Sequence, residues 1–225
     1  MPKYIEELVS EQVRASELAK RHDIVTGRPC QRSIITISRR MGSGARIVAQ
    51  MLARDLGWSL WDKELVNAIA EKAHVSEKLV REFDEHTISE IELFARGVFG
   101  DHAAGGFVYA RHLARAVKSI AKLGNAIILG RGAHFLLPES LKVRIDASDE
   151  LRVRNMMQYE DMTREAAAAK IHQSDRDREH FLTSLFGREQ AEHPIYDLTI
   201  WMDDFSNEAA VDIIKAAVEY RCKGD

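Results

Sequence analysis

The sequence predicts an α/β fold, a mainly parallel sheet of about five strands with helices on both faces. Short apolar runs rich in β-branched residues ("SIITIS", "WSLW", "NAIIL", "LKVRI", "YDLTIW") alternate with longer segments of helical periodicity. Runs such as "AIIL" are apolar throughout, as strands covered on both faces must be. Glycines follow two of these runs, at Gly42 and Gly44 and at Gly130 and Gly132, where sheets of this class bind their ligands.

Taken in order, residues 4–21 read as an amphipathic helix with Ile5, Leu8, Val9 and Val13 on one face. Gly27 and Pro29 signal a turn after it. This N-terminal helix and linker, residues 1–30, precedes a domain at 31–225. Its stripe is a packing arm, with a homodimer contact as the alternative. Residues 33–38 are the first strand. Residues 44–56 are a helix with Ile47, Val48, Met51, Leu52 and Leu56 inward and Gly57 closing it. "WSLWD" is the second strand, leading into a helix at about 63–73, and residues 74–122 are helical with a turn near "GDHAAGG". "NAIILGRGA" and "LKVRIDAS" are strands, and Ser148 or Asp149 caps the helix after the latter. A charged helix from the Thr163/Glu165 region ends at Gly187, and "YDLTIWMDD" precedes a last helix at 207–220.

At 225 residues the chain suits one domain with room for a small insertion or lid. Apolar residues make up 45% and charged residues 30%, ordinary values for a soluble protein. A net charge of −3 argues against nonspecific nucleic-acid binding, so an anion site must be local. No run approaches the roughly 18 apolar residues of a membrane span, and the N-terminus has no signal-peptide core. The expectation is a cytoplasmic protein with neither membrane nor nucleic acid as partner. Cys30 and Cys222 are far apart without a Cys/His cluster, which points to reduced thiols rather than a disulfide or zinc site.

"RRMGSGAR" joins the first strand to its helix. Glycines there turn backbone N–H groups toward an anion, and the helix N-terminus adds partial positive charge. Against the pattern G-x-x-x-x-G-K-[ST], Gly44 fits the second glycine. Arg39 stands at the first, Ala45 at the lysine and Arg46 at the hydroxyl residue. The donor-phosphate candidates are therefore Arg39, Gly42, Ser43, Gly44, Ala45 and Arg46. Arg39, Arg40 and Arg46 either supply the missing charge, in a fork geometry, or are solvated surface cations. Arg46 is the expected replacement for the lysine.

In this order, "ITISRRMGSGARIVAQMLARDLGW", "DKEL", "AIILGRGAHFLL", "LKVRIDASDELRVRNMM", "DRDREHFLTSLFG" and "YDLTIWMD" resemble the cytidylate kinase-like family, a branch of the P-loop nucleoside monophosphate kinases. The resemblance spans roughly residues 33–220. It implies a P-loop NTPase three-layer fold with a helical acceptor-binding segment at about 62–123 and a lid at about 163–187. It also implies ATP-dependent phosphoryl transfer to a nucleoside monophosphate such as CMP, with Mg2+ accompanying ATP. By the same resemblance Arg131 grips the acceptor phosphate, Asp62 helps to seat the acceptor, and the lid brings Asp175, Arg176 and Arg178 to the transferring group. A helix cap is the simpler reading of Asp62, a structural salt bridge that of Arg131, and a solvated helix face that of the lid charges. His134 reads as a satisfied core histidine, and Ser43 as a hydroxyl near phosphate or metal. Ala45 and the extra N-terminal helix favour a rival, a catalytically weak nucleotide sensor acting through a partner. A P-loop kinase for another small acceptor is the third reading.

Overall fold

The computed structural model describes residues 2–26, 34–71, 83, 85–99 and 106–223. The turn signals at Gly27 and Pro29, the turn at "GDHAAGG" and most of the helix expected at 74–84 lie outside the described residues. Within them the five strands are β1 (Ile34–Arg39), β2 (Ser59–Trp61), β3 (Ala126–Leu129), β4 (Leu141–Asp146) and β5 (Leu198–Trp201). All neighbours are parallel, in the order β2-β3-β1-β4-β5. The central strand β1 is buried up to Arg39 and its neighbour β3 is buried throughout, as the unbroken apolar run of β3 requires.

On one face α2 (Ala45–Leu56) and α10 (Asn207–Lys223) pack with Val48, Leu52, Val211 and Ile214 against Ile35, Ile37 and Val143. Val48 and Leu52 are fully buried in α2, whereas Met51 and Leu56 are only partly so. On the other face α3 (Lys63–Glu71), α4 (Glu85–Phe99), α5 (Gly106–Leu123) and the short α6 (Ala133–Leu136) enclose Trp61, Leu113, Ile120 and Ile128. A third, small apolar cluster (Val153, Met156, Ala167, Ile171) joins α7 (Asp149–Glu160) to the long α8 (Arg164–Phe186), which α9 (Arg188–Glu192) follows. Ser148 and Thr163 cap α7 and α8 through their side chains, as their sequence positions suggest.

Helix α1 (Pro2–Thr26) packs on the domain, as the packing-arm reading of its stripe expects. Val9 is fully buried, and Ile5, Leu8 and Val13 pack on the core of α3 and α5. Its polar side closes the edge of the sheet: Leu60 N–H donates to Gln12 Oε1 at 2.7 Å, and the Ser16 and Ser59 hydroxyls meet at 2.7 Å. The stripe that suggested a dimer is therefore occupied within the chain. Cys222 is disulfide-bonded, which corrects the expectation of reduced thiols. Among the described residues, no helix is long and apolar enough to cross a membrane.

Candidate active site

A cleft of about 880 Å³ opens at the carboxyl ends of β1, β2 and β3. Its floor is the turn from Arg40 to Gly44. Gly42 has φ 81°, and a Cβ there would stand 2.6 Å from the Arg152 carbonyl, so the turn presses against α7 with no room for a side chain. Asn155 Nδ2 donates to the Gly42 carbonyl at 2.7 Å, and Arg152 Nε donates to that of Met41 at 2.7 Å. α2 begins at the left-handed Gly44 with no side-chain cap, leaving first-turn N–H groups for an anion. Ser43 Oγ is buried beside them without a hydrogen-bond partner among the described residues.

Three half-buried guanidinium groups line the cleft, on Arg39, Arg131 and Arg178. Among the described residues none of them forms an ion pair with a carboxylate. Arg131 follows β3 in the left-handed region, φ 55°, between Gly130 and Gly132, and its guanidinium lies 4.5 Å from the centroid of the Phe181 ring. Burial, and then the charge of Arg131, lowers the pKa of Arg39. Burial, followed by Arg39 and Arg144, pushes Arg178 down to about 9. Guanidinium groups keep their protons in proteins, so these depressions reflect the cost of holding charge in a partly buried cleft, added to by the repulsion of neighbouring cations.

The other sequence candidates separate. Arg46 is two-thirds exposed at the mouth of the cleft and pairs with Asp62 at 3.4 Å. Asp62 lines the cleft and is also the cap of α3, its Oδ1 accepting from the N–H groups of Glu64 and Leu65 at 3.1 Å. Ala45 is buried. Asp175 does not line the cleft. It bridges Arg152 at 2.7 Å and Arg40 at 3.1 Å, which hold its carboxyl below the usual range against the opposing effect of burial. Arg176 also lies outside the lining, donating to Gln173 at 2.6 Å on the exposed side of α8. Helix α8, the segment expected to be a lid, thus brings Arg178 to the cleft and leaves Arg176 outside.

His134 is buried in the wall of the cleft as a core residue, but it is not satisfied, because Nε2 has no hydrogen-bond partner among the described residues. Burial, reinforced by Arg144, Arg178 and Lys142, pushes its pKa down to about 4, so the ring is neutral at pH 7. Sequence reading missed Arg152, whose side chain is wholly buried between Asp149 and Asp175, and Asn155. A charged helix face gives no sign that one of its arginines points inward. The only available signal was Arg152 standing three residues after the acidic first turn of a capped helix.

Residues 34–204 match the cytidylate kinase-like family. A cytidylate kinase of Pyrococcus horikoshii is 25% identical over 194 residues, covering 85% of this chain and 91% of that protein. One from Pyrococcus abyssi is 24% identical over 83% of this chain and 94% of its own length. An uncharacterized protein from Eubacterium ventriosum has a similar fold, with a TM-score of 0.55 at 19% identity over 83% of this chain and 98% of the other. The match reaches from the first residue of β1 past the end of β5 and takes in the glycine turn, the helices between β2 and β3 and the long α8, so the chain belongs to the cytidylate kinase-like family.

Proposed function

We propose that this protein transfers the γ-phosphoryl group of ATP to a nucleoside monophosphate, with CMP the first acceptor to test. The observation that carries the reading is the set of cations on Arg39, Arg131 and Arg178 around one cleft, without a carboxylate partner among the described residues. Phosphoryl transfer asks a protein for little beyond positioning and cations aimed at the equatorial oxygens. In the proposed step an acceptor phosphate oxygen forms a new P–O bond as the bond between the γ-phosphorus and the β,γ-bridging oxygen breaks. The electron pair stays on ADP, and the other product is a nucleoside diphosphate. The acceptor phosphate is already ionised near pH 7, so no dedicated base is required.

The backbone N–H groups at Gly42–Arg46 hold the donor phosphates in this reading, Arg131 holds the acceptor phosphate and Arg178 faces the transferring group. Among the described residues no cluster of three or more His, Cys, Asp or Glu side chains could hold a metal by itself. The buried, unpartnered Ser43 Oγ is the protein oxygen that fits a phosphate or the magnesium carried by a triphosphate. That ion would neutralise charge between the β- and γ-phosphates. Asp175 acts in this scheme as a tie between α8 and the turn.

The test is transfer of labelled γ-phosphate to each common monophosphate. Arg131→Ala is expected to raise the apparent constant for the acceptor. Arg178→Ala is expected to lower turnover about 10²-fold, roughly 2.7 kcal/mol, with binding nearly intact. Ala45, apolar where phosphate-binding loops carry lysine, favours the rival reading of a nucleotide sensor. A protein that binds triphosphate yet forms no product with any acceptor establishes the sensor and ends the kinase proposal.

A further inference from the structure

The structure assigns the charge missing at position 45 to Arg39, with Gly130 leaving the space in which its guanidinium lies. The assignment rests on the phosphoryl-transfer reading. Ala45 faces the packed side of α2 and brings no charge. Arg40 is engaged with Asp146, Asp149 and Asp175, and serves to tie the turn to α7 and α8. Arg46 points to the rim, is largely solvated and has Asp62 as its partner. A solvent-exposed cation already facing a carboxylate offers an incoming phosphate little.

Arg39 differs on each count. It is the last residue of β1, so the strand carries it to the edge of the phosphate-binding turn. Gly130 N–H donates to the Ile37 carbonyl at 2.9 Å, which brings the end of β3 alongside. A Cβ on Gly130, whose φ is 89°, would overlap Arg39 Nη1. The guanidinium therefore crosses from β1 over the end of β3, toward Arg131. This places a cation between the loop proposed to hold the donor and the arginine proposed to hold the acceptor, with Arg178 of the lid nearby. A lysine would reach a phosphate from the first turn of α2. Here the cation reaches the same cleft from the strand, and its fork offers two N–H groups to one phosphate.

A cation that serves a bound phosphate and burdens the empty protein has a distinctive signature. Arg39→Met should melt no lower than wild type without ligand, because it removes one of three repelling charges. With Mg-ATP, and with tripolyphosphate as a probe that has no base, its affinity by calorimetry should fall roughly 10- to 100-fold, and the thermal shift should shrink accordingly. Arg39→Lys should recover part of that loss. Gly130→Ala keeps every charge and displaces the guanidinium, and should weaken the same two ligands. An Arg39→Met protein that keeps full affinity overturns the assignment, as does loss of affinity in Arg46→Met in its place. A ligand-free Arg39→Met protein that melts well below wild type, or does not fold, marks Arg39 as a structural cation and also overturns it. A wild-type protein that binds neither ligand fails the phosphoryl-transfer reading itself, and the assignment falls with it.

Discussion

His134 is the residue whose chemistry departs furthest from what its neighbours in sequence suggest. It sits on an apolar stretch, "AHFLL", and is buried as that stretch implies, yet Arg144, Arg178 and Lys142 surround it with positive charge. The folded pKa of about 4 lies below the ordinary 6.5, so between these values the unfolded chain binds more protons than the folded one. Stability is thus complete above pH 6.5 and falls as the pH drops toward 4, by about 3 kcal/mol from this ring alone. Urea midpoints measured from pH 7 to pH 4 should fall more steeply for wild type than for His134→Gln. Such a residue was half legible: its burial, the main cause of its lowered pKa, follows from the apolar run, but the arginines that add to it come from β4 and α8, far along the chain. Arg131 was fully legible as a strand-end arginine between glycines. Arg39 and Arg46 were not separable, since both flank the same turn, and only the strand's direction and the helix's pitch send one inward and the other to the rim.

Elements were read well where one residue decides their ends. Gly57, Ser148, Thr163 and Gly187 each mark a helix boundary, and the parallel order follows from apolar strands separated by helices. The stripe of α1 was read as a packing arm, but not the surface it packs on, because an amphipathic stripe states that a face is covered and is silent on what covers it. Here the cover is α3 and α5, and the polar flank of the helix pairs with β2, an edge strand of only three residues. Gln12 takes the backbone donor of Leu60 that would otherwise stand unpaired beneath the helix. Gln12→Ala is expected to lower stability by about 1–2 kcal/mol through that single lost acceptor. Denaturant titration checks this, and hydrogen exchange at Leu60 should accelerate alongside.

For the whole molecule, the order β2-β3-β1-β4-β5 sets a timetable as well as a shape. The central strand finds its partners late: Ile35 lies beside Ile127 on one side and Leu141 on the other. Parallel neighbours cannot be reached by a tight hairpin, so every pairing in this sheet closes a long loop first. A chain emerging from the ribosome therefore carries "IITIS" without a strand partner until β3 has been made, and its second neighbour, β4, follows only after that. A fragment ending at residue 140 should show helical content without a cooperative unfolding transition, whereas a chain ending at residue 223 should unfold in one step. Distant pairing of this kind slows folding toward the millisecond-to-second range. For that interval an isoleucine-rich strand that ends up buried is exposed, and production in cells should depend more on chaperone supply and temperature during synthesis than on the stability finally reached.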